Sequence, residues 1–416
     1  MSRGTSTART RWVDIAKAIA ILLVALHHSI LFLTAAGLAG DVWADIDDVF
    51  VVFRMPLFFF ASGLFALSVI RRPWARLWQT RLALLVWVFA VWSVVRFGFF
   101  HIVDSPLPLD ETKLLRLAVA PLWPQTGLWF LHALVVFFVV AKLLDVLRVP
   151  LWLQIAAAGA VSVPFFAGAT VGKISYDGML QYFVFFLVAC HFRDRIIPAV
   201  QRCGIVAAGV ALAVFGVGYA VVAVLGIENL PGSLFVLAIL ALAAGLLLSR
   251  TIDRGEPLGR PAGWIGRQTL PIYVAHVLVI GALTSLLSRV ADTTALDVVR
   301  PVLPVVVMAA AVAISLLIRR AIRDVPVLRY AYEAPPFVRD LPVRTDQRKS
   351  RTVDGKRRTV DGKQRTVNGE RRPVDGKQRT VDKEWRPVDG KRRPVDGKRR
   401  PVDEGTVTRH TPAPPP

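Results

Sequence analysis

The sequence contains very little cysteine and comparatively little charge. Among its 416 residues only Cys190 and Cys203 are cysteines, which excludes a disulfide framework and gives no metal-ligand spacing. Charged residues make up 19% of the chain, whereas hydrophobic residues make up 54% and the mean hydropathy is +0.50. This composition is atypical of a soluble protein and typical of a protein that crosses a membrane several times.

The apolar residues are grouped into segments of membrane-spanning length. About ten segments are long and apolar enough to cross a bilayer as helices. They lie near 13–36, 49–70, 80–100, 127–145, 150–170, 176–192, 204–226, 231–249, 269–288 and 301–322. The sequence therefore predicts an all-α, polytopic transmembrane helical bundle that occupies residues 1–325.

The charged residues of the loops predict how this bundle lies in the membrane. The loop at 37–48 has four Asp and no Lys or Arg, whereas the region 71–81 is rich in Arg. Loops poor in Lys and Arg continue to alternate with loops rich in them along the chain, and this alternation is the positive-inside pattern. It predicts a multi-pass protein of the plasma membrane with both termini in the cytoplasm. Asp14 and Lys17 argue against a cleaved signal peptide, whose apolar core carries no charge.

The C-terminal part of the chain has a different composition. Residues 352–400 repeat a seven-residue pattern, [TP]-V-[DN]-G-K-x-R, with a few deviations. One Val in each unit cannot form a coiled-coil seam, and the frequent Gly and Pro break helices. We expect 326–416 to be a disordered, basic cytoplasmic tail. It either contacts anionic lipid or has no dedicated role, and its scarce aromatic residues argue against nucleic-acid binding.

The first predicted span contains ionisable residues, which are functional by default because lipid does not stabilise charge. Residues 11–28 read RWVDIAKAIAILLVALHH. On a helix, Lys17 and His28 share a face within roughly 20° and lie roughly 16 Å apart along the axis. Asp14 lies about 60° from Lys17, and His27 lies about 80° from it. The pattern predicts a cation near one end of the helix and an imidazole near mid-membrane, facing the same way.

A second ionisable residue lies in the apolar run VVFRMPLFFFASGLFAL of span 2. Arg54 in this run requires an anionic partner or a polar cavity. Its guanidinium suits bidentate contact with a phosphate or a carboxylate. Asp14 of span 1 is a candidate partner within the bundle. Ser62 and Gly63 permit another helix to approach closely.

Two later spans begin with aromatic residues and histidine. Trp129 suits the membrane interface, and His132 is either functional or simply solvated. Tyr273 and His276 are three residues apart and are neighbours on one helix face. They either orient a substrate or satisfy one another as a buried pair.

Together these stretches resemble the acyltransferase 3 family of integral-membrane O-acyltransferases, and in particular the subgroup likened to fucose 4-O-acetylase. The resemblance rests on the order and spacing of four motifs and covers residues 10–325. The motifs are D-x-x-K followed by ten residues and a His (Asp14, Lys17, His28), RMPLFFFASG at 54–63, LWFLHAL at 128–134 and LPIYVAH at 270–276. The chain departs from the family pattern at Ala18 and His27, where glycine is common.

The resemblance implies an enzyme that transfers an acyl group, commonly acetyl from acetyl-CoA, to a hydroxyl of a cell-envelope carbohydrate or a small molecule. It implies acyl-CoA as co-substrate and no metal. His28 is the expected general base, since imidazole exchanges protons near neutral pH. We place Asp14 in the same catalytic set, where it orients Lys17. Lys17 and Arg54 are expected to bind the coenzyme, and the acceptor is expected to contact Trp129, His132, Tyr273 and His276.

Two other functions account for part of the sequence. A transporter or flippase also has many spans with buried charges, but the motifs show no inverted repeat. A membrane scaffold that displays the basic tail leaves the charges of spans 1 and 2 unexplained. The long proline-containing loop at 101–126 is either a lid over a site or a surface connector.

Overall fold

The computed structural model describes residues 10–107, 114–122, 127–289 and 299–340. Within these ranges the chain forms helices joined by loops and contains no strand. The predicted all-α fold is therefore confirmed. The seven-residue repeats at 352–400 lie outside the described residues.

Fifteen α-helices follow one another in the described part of the chain. They are α1 (Arg11–Ala35), α2 (Val42–Gly63), α3 (Leu67–Ile70), α4 (Trp74–Leu77), α5 (Ala83–Ile102), α6 (Leu114–Val119), α7 (Trp129–Val146), α8 (Leu151–Phe166), α9 (Ile174–Arg202), α10 (Ile205–Leu225), α11 (Ser233–Arg254), α12 (Glu256–Arg267), α13 (Thr269–Ser288), α14 (Leu303–Ile322) and α15 (Pro336–Arg339). A π-helical stretch, Trp78–Leu82, joins α4 to α5.

Seven helical stretches of the described residues are long and apolar enough to cross a membrane. These are Arg11–Ala35, Trp74–Ile102, Trp129–Val146, Ile205–Leu225, Ser233–Arg254, Thr269–Ser288 and Arg300–Ile322. The other three predicted spans coincide with α2, α8 and α9. The predicted count of about ten is not confirmed, because α2 carries three Asp and Arg54, α8 has only 16 residues, and α9 contains several polar and charged residues.

The helix α1 lies at the centre of the bundle and packs against α2, α11, α12, α13 and α14. Its small side chains at Ala16, Ala20 and Ala25 are fully buried. Small residues allow helix backbones to approach closely where lipid provides no hydrophobic driving force. The closest approach involves Gly266 of α12, where an added Cβ would lie 1.7 Å from the carbonyl oxygen of Asp14. The first span is thus the core around which the others assemble.

A second close approach occurs between α2 and α9. A Cβ added to Gly63 would lie 2.5 Å from the carbonyl oxygen of Phe186. The thiol of Cys190 donates to the carbonyl of Gly63 at 3.3 Å. The close packing predicted for the Ser62–Gly63 pair is therefore present, and α9 is the helix that uses it.

The chain after α14 folds back and packs against the π-helical stretch and α5. Indole N–H groups donate to three carbonyls of this segment at 2.7 to 2.8 Å, namely Trp78 to Val338, Trp87 to Tyr330 and Trp92 to Ala331. The ring of Tyr332 is buried, with the guanidinium of Arg319 5.0 Å from its centroid. The part of the sequence-assigned tail at 326–340 therefore packs with the helices and belongs to the same compact unit.

Candidate functional site

A cavity of about 410 Å³ lies among α1, α2, α5, α7, α9 and α13. Its size and its mixed polar and aromatic lining are typical of a small-molecule site. The polar lining consists of His27, His28, Arg54, Arg96, Asp177 and Gln181. No group of three His, Cys, Asp or Glu side chains among the described residues could hold a metal ion. The ionisable side chains of the lining are imidazoles, guanidiniums and the carboxylate of Asp177.

The imidazole of His28 is held by α1 and α13. Its Nδ1 lies 2.8 Å from the carbonyl oxygen of Val24 and 3.3 Å from Nε2 of His276. Nδ1 of His276 lies 3.0 Å from the carbonyl oxygen of Ile272. Because carbonyl oxygens only accept hydrogen bonds, both neutral rings carry their proton on Nδ1. Nε2 of His276 then accepts from His28, and Nε2 of His28 keeps a lone pair, as a general base requires.

The imidazole of His27 belongs to a second network. Its Nδ1 donates to Asp47 Oδ2 at 2.7 Å, and the guanidinium of Arg54 donates to Asp47 Oδ1 at 2.6 Å. Asp47 is therefore the anionic partner of Arg54. The prediction that Asp14 has this role is wrong, because Asp14 lies near the other end of α1, with its Oδ2 3.8 Å from Arg267.

Both neighbouring histidines line the cavity, although the helical phase of α1 places only His28 on the face of Lys17. His27 points towards Asp47 of α2, and His28 points towards His276 of α13. The cavity extends around α1 from one of these helices to the other, so side chains about 100° apart both reach it. The ring centroids of His27 and His28 are 5.0 Å apart, and those of His28 and His276 are 4.9 Å apart. The three imidazoles form a row across α1.

Two predicted acceptor-binding residues also line the cavity. The hydroxyl of Tyr273 donates to the carbonyl of Gly127 at 2.8 Å and accepts from the N–H of Phe130 at 3.1 Å, which fixes the start of α7 to α13. Trp129 stacks beside Tyr182, with ring centroids 6.4 Å apart. The rings of Tyr273 and His276 are neighbours at 6.0 Å, as predicted, but their hydrogen bonds reach Gly127 and His28.

The remaining predicted site residues do not line this cavity. His276 is fully buried and reaches the cavity only through His28. His132 bonds through Nε2 to the carbonyl of Pro121 at 2.9 Å. Lys17 and Asp14 lie along α1 at roughly 16 and 21 Å from His28 by helix rise. A direct contact of Asp14 with reacting atoms at His28 is excluded by this separation.

Sequence reasoning missed three charged residues of the site, namely Asp47, Arg96 and Asp177. Asp47 precedes Arg54 by seven residues, or two helical turns, which places them on one face within roughly 20°; this spacing was a usable signal. Arg96 lies in the apolar third predicted span and is only 2% exposed. An arginine inside a span is itself a signal of function.

The model of the acyltransferase 3 family, described as an acyltransferase domain, matches residues 10–320. The chain belongs to this family. A similar protein is the inner membrane protein YcfT of Escherichia coli (strain K12), which is 27% identical over 210 residues; these cover 43% of this chain and 57% of YcfT. The alignment thus spans little more than half the length of that relative. No solved structure matches the chain.

Membership confirms the family predicted from the four motifs. Together with the apolar helices it identifies a multi-pass membrane protein with an acyltransferase domain, whose family implies acyl transfer. The likeness to the fucose 4-O-acetylase subgroup stays a prediction.

Proposed function

We propose that this protein is an O-acyltransferase that moves an acyl group, such as acetyl, from acyl-CoA to a hydroxyl of a cell-envelope carbohydrate or a small molecule. The observation that carries the proposal is the orientation of His28 at the cavity of a chain that belongs to an acyltransferase family. A hydroxyl is a poor nucleophile at neutral pH, and a positioned imidazole base overcomes this.

In the proposed reaction, Nε2 of His28 takes the proton of the acceptor hydroxyl as its oxygen attacks the thioester carbonyl. The bond from carbonyl carbon to sulfur then breaks, and the coenzyme A thiolate leaves and receives that proton. His276 serves as a positioning residue, since its Nε2 accepts the Nδ1 proton of His28 and keeps this tautomer. The His27–Asp47 pair is the second candidate base, because its geometry also leaves Nε2 of a neutral His27 unprotonated.

The coenzyme is assigned to the end of α1 that carries Lys17. An ammonium there suits a phosphate of coenzyme A, and roughly 16 Å of helix rise to His28 suits an extended pantetheine arm. Asp14 is buried near Arg267 at the same end of α1 as Lys17. Its carboxylate orients the cationic side chains there and does not touch the reacting atoms. Arg54 faces the His28 cavity and bonds Asp47, so we assign it to the reaction centre. We assign Trp129 and Tyr273, which also line the cavity, to the wall that contacts the acceptor.

The proposal is tested with purified protein in nanodiscs, labelled acetyl-CoA and envelope glycans from cells that lack the gene. The expected result is label in an ester together with release of one free thiol per ester. Lys17→Ala is expected to raise the KM for acetyl-CoA more than it lowers kcat, because it removes binding at a distance from the bond that changes. A transporter would release no thiol in any variant, and that outcome would refute the proposal.

A further inference from the structure

A second cavity, of about 370 Å³, lies among α7, α8 and α9. It shares no lining residue with the cavity at His28. The described residues that line it are apolar apart from Gln154, whose side-chain nitrogen donates to the carbonyl of Val149 at 2.8 Å. Because this amide is engaged within the protein, the cavity is an apolar groove, which we call the α8 groove.

The α8 groove opens beside exposed apolar side chains. Leu153 and Val161 line it and are 43% and 40% exposed, and the neighbouring Trp152 is 71% exposed. The adjacent α7 is long and apolar enough to cross a membrane, so this face meets hydrocarbon. From Leu153 to Val161 the helix rises roughly 12 Å, which is most of the roughly 15 Å of hydrocarbon in one leaflet. The groove therefore has the polarity and the length for a lipid acyl chain.

One end of the α8 groove is the connection between α7 and α8. Leu144 of α7 and Val149 of the connection both line the groove. The N–H of Val149 donates to the carbonyl of Leu144 at 3.0 Å, and the N–H of Arg148 donates to the carbonyl of Asp145 at 3.2 Å. These two bonds form a Schellman motif, which ends α7. Because the 18 residues of α7 rise roughly 27 Å, close to the thickness of the hydrocarbon core, the connection lies near the membrane surface.

Arg148 occupies the left-handed position of this motif. Its φ is +54°, and it is the one residue other than glycine with a positive φ in the described ranges. Glycine is the usual residue at this position, since it has no Cβ to clash with the backbone. A larger residue in this conformation carries strain, which points to a role for its side chain.

The side chain of Arg148 gives this end of the groove its net positive charge. Lys142 pairs with Asp145 at 3.5 Å, so these two charges compensate one another. Arg148 is exposed, and its guanidinium makes no ion pair or hydrogen bond with another described residue. A guanidinium suits a phosphate, to which it donates two parallel hydrogen bonds. An apolar groove with a cation at its surface end matches the chain and the headgroup of an anionic lipid.

We infer that the α8 groove binds an anionic phospholipid, with one acyl chain along α8 and the phosphate at Arg148. A basic residue near the membrane surface favours anionic lipid by about fivefold. The exposed ring of Trp152 lies at the same end of α8, and indole rings favour the depth at which headgroups begin. This site is separate from the proposed reaction and does not depend on it.

The test uses the full chain, purified, delipidated in detergent and titrated with dioleoylphosphatidylglycerol or with dioleoylphosphatidylcholine. The two lipids have the same chains and differ in net charge. Native mass spectrometry counts the bound lipids, and thermal melting reports how far each stabilises the protein. We expect the anionic lipid to bind about fivefold more tightly and to raise the melting temperature more. Equal binding of the two lipids overturns the inference.

Arg148→Gly separates a lipid contact from a role in ending α7. Glycine adopts the left-handed conformation more easily, so the melting temperature without lipid should stay the same or rise. The preference for phosphatidylglycerol should nevertheless disappear. Arg148→Asn, which also tolerates this conformation, gives a second measurement. Arg72→Gly removes an equal charge from another exposed position and should keep the preference. Retained preference in the Arg148 variants, or an equal loss in Arg72→Gly, contradicts the assignment.

A second pair of variants tests the position of the acyl chain. Ala157 lines the groove, whereas its neighbour Ala156 does not, and both are exposed. Ala157→Phe places a ring in the groove and should weaken the binding of both lipids. Ala156→Phe, the matched control, should bind both as the wild type does. Unchanged lipid binding by Ala157→Phe, in protein that melts cooperatively, shows that the chain does not occupy the α8 groove.

Discussion

At the scale of single residues, the proposed reaction centre depends on which ring nitrogens carry protons. His28 and His276 each contact the carbonyl four residues earlier on their own helix, and this sets the proton on Nδ1 in both. His27 reaches the same tautomer through a carboxylate. The two candidate bases therefore differ in their hydrogen-bond partners. His28 bonds the neutral ring of His276, whereas His27 bonds the carboxylate of Asp47, which also pairs with Arg54.

His28→Ala should lower acyl transfer by about 10²- to 10⁴-fold, the usual contribution of a positioned acid or base. His27→Ala, the neighbouring control, should be far milder. The measurement is ester formation by purified variants in nanodiscs at saturating acetyl-CoA. Full activity in His28→Ala with loss in His27→Ala would make the Asp47-supported imidazole the base.

Much of this proposed centre was readable in the sequence, but the pairing of His28 with His276 was not. The helical phase of Lys17 and His28 follows from spacing alone. The partner of His28 is 248 residues away, and no local pattern connects the two. The spacing of Asp47 and Arg54 on α2 indicates their pairing, whereas the position of Asp14 near Arg267 depends on how α1 packs against α12.

At the scale of helices, the contact between α1 and α12 should be sensitive to a single methyl group. Gly266→Ala would place a Cβ 1.7 Å from the Asp14 carbonyl oxygen, so the helices must separate. Overpacking of this kind costs about 1–3 kcal/mol or more. The melting temperature in detergent should fall clearly. Gly209→Ala in α10 is the matched control, since nothing lies within 4 Å of its added Cβ; equal melting of the two variants would show that α12 does not pack as described.

The segment after α14 provides a second prediction at this scale. Truncation after Asp340 should leave folding and activity near those of the full chain, because the matched acyltransferase domain at 10–320 and every residue assigned to the site precede that point. Truncation after Asp324 removes the acceptors of three indole N–H groups, at about 0.5–1.5 kcal/mol for each hydrogen bond. Size-exclusion profiles and thermal melting would compare the two. Identical behaviour would mean that the 325–340 segment is dispensable.

At the scale of the whole molecule, the predicted orientation in the membrane has a direct test. In a background without Cys190 and Cys203, a cysteine at the exposed residue Gly40 should react with an impermeant thiol reagent in intact cells. One at the exposed residue Arg72 should react only after the cells are opened, because the Arg-rich loop is predicted to be cytoplasmic. The reverse labelling would place both termini outside.

The apolar pattern predicted where the helices lie better than which of them cross the membrane. All ten predicted segments coincide with helices, yet α2 holds Asp45, Asp47 and Asp48 beside its apolar half. On a hydropathy scale these carboxylates count against insertion of α2 into a membrane. The structure uses Asp47 to compensate Arg54 two turns later on the same helix, and a count of hydropathy does not take such a pairing into account.

The cavity has two kinds of wall. One is formed by the histidines, which are held within helices, and the other by a connection between helices. His28, the proposed base, and His276 are held by carbonyls within α1 and α13, whereas Gly127 and Leu107 belong to the connection between α5 and α7. Substitutions in that connection can reshape the acceptor wall without moving the imidazoles. In the proposed reaction, substitutions in the connection would therefore change which acceptor fits while the proposed base and its partner keep their positions.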